Sequence, residues 1–559
     1  MLNIQPQYLS LSKLLDGRLF RIPEYQRAYS WMKHQRQDLF DDLLKTHSAG
    51  KEEVHFMAAV VCLRREKQEL GTDEYQVLEI VDGQQRITTL IVLLKAISLA
   101  LDEDEKQEAK LRNELSDLLV KPEGDELLLL QTNHDSSHYF ANFLRSGISP
   151  SSGVAQTTAD REILEAIEDC RRYVKKWKAQ GRELLSLATL LKNKLYFLLH
   201  EIDQEKIVYT VFEVLNSRGL TVSWIDRLKS ILMGMAFDLP KVNSAGVIKD
   251  LRTAWRDVYS VIGLRQGLST ESLRFAATLK VKSAPSRPLS EEDSVDALRA
   301  DASGSAANVR KVATWLLDVT KACDVVMANM RMNAVTRISQ ARLLAVAIEL
   351  RSDLSKMEKE TLLSRWEKVT FRIYGMLGYD ARTKVGDYVR LAWRVNNEKL
   401  SAAKISAAIG EIGRDFSIND AIEELQGANC YEGWETELRY LMFRYEEHLS
   451  KMRGMKFRNE QWEKIWLASP SESIEHIFPQ SKAAEKQKHR LGNLVLLPPK
   501  LNSQLKDKPA KEKSDAYRKT GLLIAGKVAD LIDKGAWDRK AIDAREEAIL
   551  TWAKKEWAD

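Results

Sequence analysis

Cysteine is sparse and scattered: Cys62, Cys170, Cys323 and Cys430 are the only four in 559 residues, and no Cys-x-x-Cys pair occurs. That usage excludes a zinc ribbon and points to reduced thiols in a cytosolic protein. Long apolar runs are missing too. The most apolar stretch, Leu90 to Leu101, contains Lys95 and is too short to span a bilayer, so no membrane partner is expected. The opening residues, Met1-Leu2-Asn3-Ile4-Gln5-Pro6, lack the charged start and apolar core of a secretory signal, which fits a cytoplasmic location. There is no Gly-rich Walker loop with its lysine, which excludes a conventional P-loop engine. Nothing resembles a single-strand RNA module, and no repeat of fixed period is present.

Charge of one sign is also missing overall, since 85 Lys and Arg face 80 Asp and Glu, a net +5. The excess is local. Residues 482–519 hold eleven basic and four acidic residues, +7, which leaves 5 − 7 = −2 for the remainder. Lys500, Lys506, Lys508, Lys511 and Lys513 fall in this stretch, where they can contact phosphates without reading bases. Alone, such a run would be a solvated face.

What precedes it changes that reading. Glu475-His476-Ile477-Phe478-Pro479-Gln480 is followed by Gly492-Asn493-Leu494-Val495-Leu496-Leu497 and by Leu501-Asn502-Ser503, which reads as strand, loop, strand, helix. The helix is expected beyond Pro498-Pro499, near Asn502. Phosphodiester hydrolysis needs a base, a divalent cation and something to hold the base still. His476 suits the base, because imidazole titrates near neutral pH. Glu475 and Asn502 offer the hard oxygen atoms that Mg²⁺ or Mn²⁺ takes as metal ligands, and Asn493 can fix the loop.

A second constellation lies upstream. Glu74 to Val81 reads as a strand running into Asp82-Gly83-Gln84-Gln85-Arg86, after which Ile87 to Ile97 reads as a largely buried helix. Helix N-terminal N–H groups favour anions, Gly83 lets backbone approach closely, and Arg86 can grip phosphate oxygens in two-pronged fashion. The apolar run His55 to Leu63 makes the unit a hairpin leading into a helix. Ile22 to Trp31 adds Arg27 and an aromatic cluster, and Phe212 to Leu220 adds Asn216 and Arg218 beside Gly219.

The C-terminal strings resemble the HNH, or ββα-metal, nuclease fold, and most closely the C-terminal domain of GmrSD-type modification-dependent (type IV) restriction enzymes. A similar string occurs in the HNH domain of RNA-guided CRISPR nucleases. The resemblance implies His476 as general base, Asn493 as the supporting asparagine of the catalytic pair, and Glu475 and Asn502 as metal ligands. Glu475 departs from the Asp or His common in HNH enzymes. The N-terminal strings resemble the ParB-like nucleotide-binding domain of the same proteins. That implies a nucleoside triphosphate site at Asp82, Gly83, Gln84, Gln85 and Arg86, with Arg27 and Arg218.

The expected fold is therefore α+β and mainly helical, with a ParB-like N-terminal α/β unit over 1–235. A helical middle over 236–420 and a C-terminal ββα-metal (HNH) nuclease over 421–559 complete it. Arg310 to Met330 and Leu362 to Met376 read as amphipathic helices. Ser146 to Asp160 reads as a loop and Ser283 to Ser305 as a flexible connection. Trp255, Trp315, Trp366 and Trp393 read as core anchors. The resemblance implies a nucleotide-regulated, metal-dependent endonuclease that restricts foreign double-stranded DNA, typically modified, and leaves a homodimer open. Lys500, Lys506 and Lys508 are its DNA-binding candidates, and nucleoside triphosphate hydrolysis by the N-terminal domain is expected. The competing expectation is a nucleotide-switched DNA-binding protein whose HNH domain is inactive.

Overall fold

The computed structural model describes residues 6–23, 28–50, 53–70, 72–121, 127–132, 137–203, 223–335, 338–455, 457, 460–481, 483–505, 507–535 and 537–558. It is mainly helical, with one six-stranded mixed sheet at the N-terminus and two short strand pairs, an α+β arrangement. The chain divides into two compact units, one of residues 1–273 and 290–320, the other of 274–289 and 321–559. Arg27, Arg218 and Lys506 lie outside the described residues.

In the first unit the strands are β1 (Gln7–Ser10), β2 (Arg18–Ile22), β3 (His55–Leu70), β4 (Asp73–Asp82), the minor pair β5 (Val120–Lys121) and β6 (Leu127–Leu128), β7 (Leu130–Thr132) and β8 (Leu195–Ile202). Their order in the main sheet is β1-β8-β3-β4-β2-β7. β3 and β4 form the expected antiparallel hairpin, whereas β8 joins β3, and β2 joins β4 and β7, in parallel. Parallel pairing needs crossover connections, and helices supply them.

Those helices include α1 (Lys33–Ser48), α2 (Gln84–Ala100), α3 (Thr158–Ala179) and α4 (Leu184–Lys194). α2 is apolar nearly all round and is buried from Ile87 to Ser98, as expected of a helix enclosed by neighbours rather than lying on a surface. α1 contributes Arg36, fully buried, whose guanidinium meets Glu162 at 3.1 Å, Glu165 at 3.1 Å and Asp169 at 2.8 Å on α3. Unpaired, that charge would cost several kcal/mol; three carboxylates make it a tie between helices.

The expectation for Ser283 to Ser305 is corrected. A helix runs from Glu291 to Ala302, because Ser290 caps it through Asp293, three acidic residues occupy its first turn, and Val295, Leu298 and Ala302 supply a buried stripe. Small and acidic residues there are helix-start chemistry. Trp255 and Trp366 are buried as anchors, whereas Trp315 and Trp393 are half-buried.

Among the described residues of the second unit, β9 (Ile474–His476) and β10 (Leu494–Leu496) are the only strands, and the other elements are helices. Its helices include α5 (Lys356–Thr370), which continues as a π-helical turn to Met376, α6 (Glu435–Met452), α7 (Pro499–Leu505), α8 (Ala510–Lys519), α9 (Leu523–Lys534) and α10 (Arg539–Glu556). Glu367 of α5 is buried against Arg331 at 2.7 Å and against Arg444 and Tyr440 of α6. Among the described residues no helix is long and apolar enough to cross a membrane.

Candidate active site

β9 and β10 pair antiparallel, with His476 opposite Leu494, Glu475 opposite Val495 and Ile474 opposite Leu496. α7 follows at once, starting at Pro499, where a proline fits because the first helical N–H needs no partner. Asn502 of α7 donates its amide to the carbonyls of Glu472 (2.8 Å) and Ile474 (3.1 Å), fastening the helix to β9.

Asn493 is fully buried and uses all of its amide. Its Nδ2 donates to the carbonyls of Phe478 (3.1 Å) and Lys488 (3.0 Å), and its Oδ1 accepts from the Phe478 N–H (2.8 Å) and Trp537 Nε1 (3.3 Å). One side chain thus closes the connection between the two strands. From outside, α10 grips the same turn: Arg545 donates to the carbonyls of Leu491, Gly492 and Leu494, while Glu546 pairs with Arg490 at 2.8 Å. Gly492 lies so close to α10 that a Cβ would fall 2.0 Å from the Ile542 carbonyl oxygen.

His476 sits at the end of β9 with both ring nitrogens engaged. Nε2 is 3.0 Å from Nδ1 of His489, and Nδ1 is 3.0 Å from the Gln480 amide nitrogen. Tyr431 packs edge-on against His476 and lies parallel to the His489 ring, 5.0 Å away at 11°. Burial holds the His476 pKa far below its ordinary 6.5, at about 3, with His489, Lys513 and Lys488 pushing the same way. The ring is therefore neutral at pH 7, with one lone pair able to accept a proton, and burial makes it a weaker base than a free imidazole. Burial likewise lowers the pKa of His489.

Glu475 turns away from this cluster, as the next residue along a strand does. Its carboxylate meets Lys513 Nζ at 2.6 Å and accepts the Tyr517 hydroxyl at 3.1 Å, both from α8. Lys513, wholly buried, also donates to the His476 carbonyl at 2.8 Å. Burial raises the Glu475 pKa and the lysine opposes the rise. An ammonium already neutralises this carboxylate, and among the described residues no group of three His, Cys, Asp or Glu could hold a metal ion. As arranged, Glu475 does not fit a divalent cation. The expectation that Lys513 contacts phosphate is corrected for the same reason. Lys500 and Lys508, at either end of α7, are exposed.

The N-terminal turn is arranged differently. Gly83 has φ +93°, a left-handed conformation, and a Cβ there would meet Val60 Cγ2 at 3.1 Å. No side chain caps α2 at this residue. Gln85 ties the preceding segment down, accepting from the Ser30 N–H at 2.8 Å and donating to the Ala28 carbonyl at 3.2 Å. The Arg86 guanidinium lies 6.0 Å from the centre of the Trp31 ring, and Gln84 is buried. A helix start with glycine at its cap suits an anion, and Asp82 and Arg86, both half-buried, lie beside it.

Neither His489 nor Tyr431 stood out in the sequence. The only cue was the spacing: His489 lies four residues before Asn493, within the turn that Asn493 folds back onto β9.

Residues 11–233 match the family model for the GmrSD restriction endonuclease N-terminal domain, and residues 415–552 match that for the C-terminal domain of GmrSD restriction endonucleases. No curated protein matches the chain.

Proposed function

From the chain's membership of the GmrSD restriction endonuclease family, which makes it a restriction endonuclease with DNA as substrate, we propose that cleavage takes place in an HNH-type site at His476. The observation that carries this is a neutral, buried imidazole at the strand end, with its Nδ1 toward an exposed residue, Gln480. When Gln480 swings aside, Nδ1 accepts the proton of a water that attacks phosphorus, while Asn493 keeps the surrounding loop closed. Lys500 and Lys508 flank α7 and hold the backbone of double-stranded DNA without reading its bases.

The substrate is foreign DNA carrying modified bases or backbone, and a nucleoside triphosphate bound at the start of α2 regulates the cut. The glycine-capped helix start and Arg86 support that nucleotide role. Hydrolysis of the triphosphate would make the N-terminal unit a timer. A divalent cation, Mg²⁺ or Mn²⁺, is the remaining component of the HNH resemblance; Glu475 in its ion pair supplies no ligand for it.

Plasmid cleavage tests the reading. Unmodified, glucosylated and phosphorothioated DNA are incubated with wild type or His476→Ala, with each nucleotide, and with Mg²⁺, Mn²⁺ or EDTA. Cutting by the wild type alone is the expected result. A wild type that binds every DNA and cuts none would replace the nuclease with a nucleotide-switched binder.

A further inference from the structure

We propose that His489 is a positioning residue for His476, accepting its Nε2–H and so fixing Nδ1 as the basic nitrogen. The inference rests on the nuclease reading and assigns a role to a residue outside the motif.

A neutral imidazole has one donor and one acceptor nitrogen, and its partners decide which is which. His476 meets an amide nitrogen, Gln480 Nε2, at Nδ1, and an amide nitrogen can only donate. Nδ1 is then the acceptor and Nε2 carries the hydrogen. Three ångströms from Nε2 lies His489 Nδ1, which must present its lone pair. The His489 hydrogen then sits on Nε2, and that nitrogen faces Glu432 Oε1 at 3.8 Å. Each assignment satisfies the next, and with the Gln480 amide nitrogen toward His476 no other pattern serves both ends of the ring.

His489 is itself well placed for the task. Its ring is buried and covered by Tyr431, its carbonyl accepts from the Cys430 N–H at 2.8 Å, and Asn493 binds the carbonyl of the residue before it. The same asparagine that closes the loop therefore also sets His489. Without His489, the His476 Nε2–H would be left buried without an acceptor, and the ring could gain by changing tautomer. That change puts the hydrogen on Nδ1 and removes its lone pair.

Three proteins are compared: wild type, His489→Ala, and His489→Asn, whose side-chain oxygen falls near the missing Nδ1. Their kcat and KM for DNA are measured with and without added imidazole. We expect His489→Ala to lower kcat on the order of 10- to 100-fold with KM unchanged, the usual effect of removing a group that orients a reacting imidazole. Imidazole and His489→Asn should each restore part of the rate. A kcat within twofold of wild type, or a loss that neither measure restores, would overturn the proposal. Nitrogen-15 NMR of ring-labelled protein, with His476 identified by its loss in His476→Ala, reads the tautomer without any cleavage. Nε2–H in the wild type and a mixed or inverted signal in His489→Ala supports the role, and an unchanged tautomer refutes it. Should the wild type cut no DNA, the nuclease reading fails, and the NMR result still decides whether His489 sets the His476 ring.

Discussion

Replacing Lys513 by Met tests whether Glu475 belongs to the fold or to a metal. Lys513 is wholly buried, Glu475 is 5% exposed, and their charged atoms are 2.6 Å apart. Removing one partner of such a pair leaves an uncompensated buried charge, at a cost of about 3–5 kcal/mol. Tyr517 still donates one hydrogen bond, so the lower part of that range is expected. For a unit of this size that corresponds to a fall in melting temperature of roughly 6 to 20 °C. The double variant Glu475→Gln, Lys513→Met should recover most of the loss, because the buried charge is then gone. Acid should also help the single variant. Burial raises the Glu475 pKa in the folded state, and loss of the lysine raises it further, so the folded chain binds this proton more tightly than the unfolded chain. The deficit is therefore full at pH 8 and shrinks as pH falls toward 5. Calorimetry at the two pH values, with hydrogen exchange over 470–520 to localise the change, reads both effects. If Glu475 instead awaits a metal, Lys513→Met should melt within about 1 kcal/mol of wild type and respond more strongly to Mg²⁺. That result would refute the structural assignment.

Other outcomes follow from the same geometry. His476→Ala should lower cleavage about 10²- to 10⁴-fold, the range for losing a general base, with DNA affinity in a gel-shift assay unchanged. His476 has a folded pKa of about 3, below its unfolded 6.5, so its contribution to stability is present above pH 6.5 and declines as pH falls. The same depression means that the rate profile should show no His476 protonation step between pH 5 and 8. Gly492→Ala places a carbon 2.0 Å from the Ile542 oxygen and should destabilise by about 1–3 kcal/mol or more in thermal melts, by forcing the turn from α10. Arg86→Ala should weaken nucleotide binding in a titration and change DNA cleavage with it; both remaining intact would sink the proposed coupling.

The local structure of the candidate site was legible in the sequence because its residues are close along the chain. His476, Asn493 and Asn502 fall at the end of a strand, before its partner strand and on the next helix, where their spacing put them. Local pattern also read the β3–β4 hairpin and the buried α2 correctly. What escaped were partners chosen by tertiary packing. Lys513 looked like one more cation in a basic run, since nothing local shows that α8 turns it inward onto Glu475. The mixed sheet order was equally hidden, because β8 joins β3 across more than a hundred residues. Ser290 to Ala302 was misread for a different reason: acidic residues that would solvate a linker also cap a helix.

The least legible part of the site is its support from α10, and this yields a last prediction. Arg545 is buried with no carboxylate beside it among the described residues, and burial lowers its pKa to about 10. It donates instead to three carbonyls of the turn, those of Leu491 (3.2 Å), Gly492 (2.8 Å) and Leu494 (2.8 Å). Arg545→Met has opposing effects on stability: it relieves the desolvation of a guanidinium and leaves three carbonyls short of a donor, each at about 1–3 kcal/mol. The effect on catalysis has one direction. The turn carries Asn493 and, through it, the loop that sets His489 against His476, and displacement of about 1 Å in such a support can cost 10²-fold in rate. Cleavage measured well below the melting temperature should therefore fall by at least tenfold, a larger fraction than the unfolded population explains. If activity instead tracks the melting curve, α10 holds the unit together but does not align the histidines.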